Sequence, residues 1–111
     1  MRIANFSFIC YIYTNMKQEK ILGKIKERLP LLKAKYHVKR IGIFGSFARE
    51  EQKKGSDVDV LVEFDAPIGF FEFIRLENLL SHTLRKKVDL VSKKSIKSAV
   101  KKEVLNEVQY V

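Results

Sequence analysis

From Lys17 to about Lys35, Ile21, Ile25, Leu29 and Leu32 recur three or four positions apart with charged residues between them, the stripe of an amphipathic helix. Pro30 falls inside that stripe and is expected to end or kink the regular helix, since it cannot donate the i→i−4 hydrogen bond. The pattern then changes. Arg40-Ile41-Gly42-Ile43-Phe44 is apolar, aromatic and β-branched and stops at Gly45, as a buried strand would. Ser46 stands where a helix N-cap belongs, ahead of the helix-compatible Phe47-Ala48-Arg49-Glu50-Glu51. Lys53-Lys54-Gly55-Ser56 reads as a turn. Residues 57–64 then alternate, with Asp57 and Asp59 on one face and Val58, Val60, Val62 and Phe64 on the other.

Asp65-Ala66-Pro67-Ile68-Gly69 reads as a second loop, close enough to the aspartates to flank a bound ligand. Phe70 to about Leu84 predicts a helix whose Phe70, Phe73, Ile74 and Leu80 suit the core. Lys87-Val88-Asp89-Leu90-Val91 predicts a short strand with Val88 and Leu90 buried and Asp89 facing the other way. Ser95 to Val108 predicts a last helix, with Ile96, Val100, Val104 and Val108 four apart. The order α-β-α-β-α-β-α gives a small sheet with helices packed against it.

Chemistry concentrates at two places joined by a fixed spacing: Gly45-Ser46, then ten residues, then Asp57-Val58-Asp59. A strand running into a Gly-Ser turn leaves backbone N–H groups facing outward, a natural seat for phosphate. Two carboxylates two residues apart on a strand have Cβ atoms roughly 6–7 Å apart. They raise each other's pKa unless a cation neutralises them, and hard oxygen ligands select Mg²⁺, which binds through carboxylates and substrate phosphates. Each half alone reads equally well as an ordinary turn or a solvated strand start; the two together point to phosphate and metal chemistry. Asp89 by itself reads as a surface aspartate paired with Lys86 or Lys87, and as a third ligand only if its strand lies beside the first two.

One hundred and eleven residues make one domain, and 46% hydrophobic content indicates a folded one. A net charge of +9 suggests an anionic partner. The basic runs are not interleaved with aromatics, which argues against direct nucleic-acid binding. Cys10 is the single cysteine, so no internal disulfide forms and a reducing cytoplasm is expected. His37 and His82 stand apart, without the spacing of zinc ligands, and no apolar run reaches membrane-spanning length. Ile3 to Tyr13 is apolar and of signal-peptide length, with no small-residue cleavage site. Residues 1–15 read either as a translation-start artefact or as a weakly ordered apolar extension, and 16–111 as the domain.

The segments Gly45–Glu51 and Ser56–Phe64 resemble the signature of the minimal nucleotidyltransferases, small members of the DNA polymerase β-like superfamily. The resemblance continues through Pro67–Phe73, Leu76-Glu77, Lys87–Val91 and the closing Val104–Val111, so it covers about Met16 to Val111. One departure is visible: many members have glycine after the Ala-Arg pair, where this chain has Glu50. A helix tolerates glutamate better than glycine, so no threat to the fold is expected. The resemblance implies an α/β (α+β) fold, a small mixed sheet packed with helices. It implies a Mg²⁺-dependent enzyme, using two ions, that transfers AMP from ATP to a hydroxyl group. Asp57, Asp59 and Asp89 would be the catalytic acids and metal ligands, and Gly45, Ser46 and Arg49 the nucleotide-binding residues. The implied partner is a HEPN toxin, adenylylated on tyrosine within a hetero-oligomer, which makes this chain an antitoxin. The alternative is a non-catalytic antitoxin that neutralises the toxin by covering it; three acids on one face favour catalysis.

Overall fold

The computed structural model describes residues 6–52 and 57–111, with side chains from Gln18 onward, so the turn expected at Lys53–Ser56 lies outside the described residues. In chain order come α1 (Phe6–Tyr36), β1 (Val38–Phe44), β2 (Val58–Phe64), α2 (Phe70–Leu84), β3 (Val88–Ser92), a 3-10 turn (Lys93–Ser95), α3 (Ser98–Glu107) and β4 (Gln109–Tyr110). The four strands form one sheet in the order β3-β2-β1-β4. β2 and β3 run parallel, while β1 is antiparallel to both β2 and β4. This is the mixed α+β sheet the sequence predicts, with one short strand more than expected.

Hydrophobic alternation aims the sheet. Val58, Val60 and Val62 of β2 point into the same buried core as Ile25 and Leu32 of α1 and Leu76, Leu80 and Leu84 of α2. Val88 and Leu90 of β3 join them. In β1 the buried positions change parity, from Val38 to Ile41 and Ile43. The register against β2 slips between Val38 and Arg40, and this irregularity lets both sets reach the core despite the odd spacing. On the opposite face, Gly42 leaves room for β4: a Cβ there would stand 2.5 Å from the Gln109 carbonyl oxygen.

β3 forms one edge of the sheet, and α2 satisfies its outer amides. Ser81 Oγ accepts the Val88 N–H at 3.1 Å and a Glu77 carboxylate oxygen accepts the Leu90 N–H at 3.0 Å. An exposed strand edge is thereby covered and β3 held in place. The Val58 N–H, donated to the Lys87 carbonyl at 2.9 Å, fixes the start of β2 against the same strand.

Four expectations are corrected. α1 runs through Pro30. Both Pro30 and Lys26, whose carbonyl loses its amide partner, are exposed, so water can replace that bond, and Ile25 and Leu32 are buried on either side. In α2, Leu80 is buried and Phe73 packs against the core as expected, but Phe70 is 72% exposed beside Phe71 at 74%, and the helix's other buried residues are Leu76 and Leu84. α3 starts later than expected and buries none of its residues, so the four-residue apolar spacing there does not mark a core stripe. Residues 47–51 form no helix. Gly45–Glu50 is a single turn, in which the Arg49 N–H reaches the Gly45 carbonyl at 3.1 Å and the Glu51 N–H the Ser46 carbonyl at 2.8 Å.

That turn stops because Glu50 adopts the left-handed conformation, φ 58°. A six-to-one bond closing over a left-handed residue is how helical turns end, and glycine is the residue best suited to it. The expectation that glutamate suits this position better than glycine is therefore reversed. Glu50→Gly should stabilise the protein by about 0.5–1 kcal/mol, the left-handed penalty less the extra freedom glycine gives the unfolded chain. A thermal melt raised by a few degrees is the expected outcome; an unchanged or lower melt would contradict it.

Candidate active site

The site forms where β1 ends and β2 begins. Phe44 is the register partner of Asp59, which places the following Gly45 turn against the Asp59 side chain. Gly45 has φ 73°, and a Cβ on it would overlap Asp59 Oδ2 and lie 3.1 Å from Asp59 Cγ. Glycine is needed there twice, for its conformation and for the space.

Asp59 is in turn the register partner of Asp89 across the parallel β2–β3 pair. Val58, Val88 and Leu90 are buried on the other face, so the two aspartates share the open face beside each other. Asp57 lies two residues before Asp59 and is exposed, as is Asp89, while Asp59 is half-buried. The Asp59 carboxyl is raised above the ordinary range, first by burial, then by the charges of Asp89 and Asp57. Glu107 adds a smaller push in the same direction and Arg49 opposes it.

Ser46 is half-buried at the head of the turn. Arg49, further along it, donates to Glu51 at 2.9 Å and to both carboxylate oxygens of Glu107 at 3.0 and 3.2 Å. Those bonds raise the Arg49 pKa and keep it cationic. Glu107 also accepts the Gly45 N–H at 3.0 Å. The turn is braced from behind by the buried side chain of Gln18, which donates to the Phe47 and Ala48 carbonyls at 3.0 and 3.2 Å.

All six residues singled out in the sequence thus fall on the turn or on the two strand starts beside it. Two that were not singled out, Gln18 and Glu107, also belong here. Gln18 had a signal, since it extends the stripe of Ile21 and Ile25 with a polar residue. Glu107 had none, because its partners lie 62 and 58 residues away in the chain.

The loop 65–69 does not flank the acids. It follows the far end of β2, and even Glu63 is roughly 13 Å along the strand from Asp59. There it borders a separate groove of about 690 Å³, lined by Phe64, Ile68 and Phe73 and by Lys93 and Lys94 of the 3-10 turn.

Among the described residues no three His, Cys, Asp or Glu side chains stand close enough to hold a metal ion as they are oriented. The donor set nevertheless suits a hard divalent cation in kind: three carboxylates, one of them raised by burial and by the charges of the other two. No described helix is long and apolar enough to cross a membrane.

A mixed sheet carrying a glycine turn against paired strand carboxylates is the arrangement of an enzyme that handles nucleotide phosphates. The profile of the nucleotidyltransferase domain family matches residues 18–111, and the chain belongs to that family and is a nucleotidyltransferase. It is 48% identical over 97 residues to a Methanocaldococcus jannaschii protein described as a protein adenylyltransferase, covering 83% of this chain and 99% of that one. It is 48% identical over 80 residues to the protein adenylyltransferase MntA of Thermococcus cleftensis, covering 72% and 81%. A solved minimal nucleotidyltransferase superposes with a TM-score of 0.64 at 29% identity, over 86% of this chain and 89% of that one. The same fold recurs in a toxin–antitoxin structure with AMP-PNP, TM-score 0.63 at 22% identity, over 84% of this chain and 70% of that one. It recurs again in a tri-AMPylated HEPN toxin with its MNT antitoxin from Shewanella oneidensis, TM-score 0.56 at 20% identity, over 87% and 70%.

The raised Asp59 carboxyl has a consequence for stability. Its folded pKa lies above its unfolded value, so between the two the folded protein binds more protons than the unfolded chain. This contribution is most favourable at low pH and is lost as pH rises from the ordinary carboxylate value through the folded one. In EDTA at neutral pH, Asp59→Asn should therefore melt above the wild type, and the gap should close as the pH falls below the carboxylate range. A variant that melts no higher at neutral pH would show that the crowded charge costs nothing.

Proposed function

We propose that this nucleotidyltransferase moves AMP from ATP to a tyrosine hydroxyl of a HEPN toxin and so acts as its antitoxin. The observation that carries the reading is the side-by-side placement of Asp59 and Asp89 on the open face, with the Gly45 turn directly against Asp59. The reading of the acceptor draws support from relatives described as protein adenylyltransferases and from the AMPylated HEPN complex of the same fold. Use of ATP draws support from the AMP-PNP complex, and the cytoplasm is the setting in which nucleotide and toxin would meet.

In this reading Gly45, Ser46 and Arg49 bind the β- and γ-phosphates and leave the α-phosphorus over the acids. The acceptor oxygen forms a bond to that phosphorus, the bond from phosphorus to the bridging oxygen breaks, and pyrophosphate leaves. Asp89, exposed at the start of β3, takes up the hydroxyl proton or orients it for removal. Asp57, Asp59 and Asp89 would hold Mg²⁺, which when bound supplies charge neutralisation for the triphosphate and the departing pyrophosphate. Pairing the three acids with a cation would also offset the burial and repulsion that raise Asp59.

The test is a transfer assay with the HEPN toxin, labelled ATP and Mg²⁺. Substoichiometric wild-type protein should silence the toxin and add the mass of one or more adenylyl groups to it. Asp89→Asn should lower transfer by at least about a hundredfold, the usual weight of one proton-transfer group. It should still bind the toxin, because Asp89 faces away from the core. Silencing only at equal stoichiometry, with no gain in toxin mass and no effect of Asp89→Asn, would establish the covering antitoxin instead.

A further inference from the structure

Glu107 stands in an unexpected place for an enzyme that must seat a polyanion. Its carboxylate takes the Gly45 N–H at 3.0 Å and grips Arg49 through both oxygens at 3.0 and 3.2 Å. These are the donors that the phosphate turn would offer to a nucleotide. A carboxylate and a phosphate present the same kind of acceptor oxygens, and both match the guanidinium fork. A single backbone N–H cannot fully serve both, and two anions at one seat repel each other.

The helix that carries Glu107 is poorly anchored. α3 buries none of its residues, and neither of its ends has a side-chain cap. Beyond it, only Gln109 and Tyr110 pair with β1, and the Val111 N–H adds a bond to the Ile41 carbonyl at 2.9 Å. The Gln109 amide also donates to the Ala48 carbonyl of the turn at 3.3 Å. Val111 packs against the core and the Tyr110 ring lies 4.2 Å from the Arg40 guanidinium, so β4 and the last residue are fixed to β1, whereas the contacts the end of α3 itself makes to the turn, through Glu107, are polar. Segments with few buried apolar groups open at little cost.

We propose that Glu107 is a displaceable occupant of the phosphate seat: its carboxylate fills the Gly45 and Arg49 donors in the empty protein, and a nucleoside triphosphate must expel it to bind. Expulsion frees the end of α3, so nucleotide occupancy is reported at the surface formed by α3 and β4. This rests on the reading that the Gly45 turn binds a triphosphate. The competing arrangement is that Glu107 stays in place and positions Arg49 while nucleotide is bound.

Calorimetric titration with ATP·Mg²⁺, without any acceptor, separates the two. Glu107→Gln keeps the size and one acceptor oxygen but loses the charge, so it should bind ATP·Mg²⁺ about fivefold tighter, the gap between a charge-assisted and a neutral hydrogen bond. In the wild type, addition of ATP·Mg²⁺ should speed amide exchange across residues 99–107. Unchanged or weaker binding by Glu107→Gln, or slower exchange across α3 with nucleotide, would overturn the proposal and leave the phosphate site standing. Absence of ATP binding in the wild type, Glu107→Gln and Glu107→Ala alike would overturn the phosphate site and this proposal together.

Discussion

A hydrogen where every other residue has a Cβ is what permits the site to exist. Gly45 follows the register partner of Asp59, and any side chain on it would occupy the position of the Asp59 carboxylate. The turn and the acid can share one end of the sheet only because that atom is missing. Their contact in turn depends on the core. Val58, Val60 and Val62 bury one face of β2, and strand alternation then leaves Asp57 and Asp59 no choice of side. A slip of one residue in β2 would turn the valines to solvent and the acids inward, so the register is fixed by hydrophobic burial far more strongly than by anything at the site.

The arrangement sets local stability against function. Asp59 is crowded by burial and by Asp89, Asp57 and Glu107, with Arg49 opposing them. Meanwhile the chain as a whole carries a net charge of +9. A basic molecule with an acidic centre draws polyanions toward itself by its long-range field, yet at close range its carboxylates reject them. A bound divalent cation would resolve that conflict at the acids. At the turn, Arg49 does so, and its engagement with Glu51 and Glu107 shows that the protein supplies acceptors of its own for that charge.

How much could be read in the chain depended on the range of the interactions. β2, α2 and β3 were legible because each is specified locally, by alternation, by helical spacing and by flanking turns. The Gly45-Ser46 and Asp57-x-Asp59 pair was legible because both lie on consecutive strands, so their meeting needs only that β1 and β2 pair. Asp89 required knowledge that β3 joins β2 in parallel, which no local pattern encodes. The turn at 45–50 was misread as a helix because its residues are helix-compatible; only the left-handed Glu50 ends it, and a backbone dihedral at a glutamate leaves no trace in composition. Phe70 was misplaced because apolar spacing predicts a face without saying how far the covering elements extend, and α2 begins beyond the reach of the core.

The C-terminal segment was least legible, and for a physical reason. Its apolar residues recur four apart, yet α3 buries none of them, so hydrophobic periodicity carries no positional information there. What places the segment is Gly42, which admits β4 against β1, the packing of Val111 on the core, and polar contacts from Glu107 and Gln109 to the turn. Such contacts are exchangeable with ligand in a way that a packed leucine is not, because a phosphate can satisfy the same donors whereas nothing soluble replaces a core contact. In the proposed exchange the ligand's own charge would shift α3 from the arrangement that Glu107 holds to one in which the donors serve the ligand. In this chain the core fixes where the acids are, while the bonds from Glu107 to Gly45 and Arg49 tie the end of α3 to the very donors a phosphate would use.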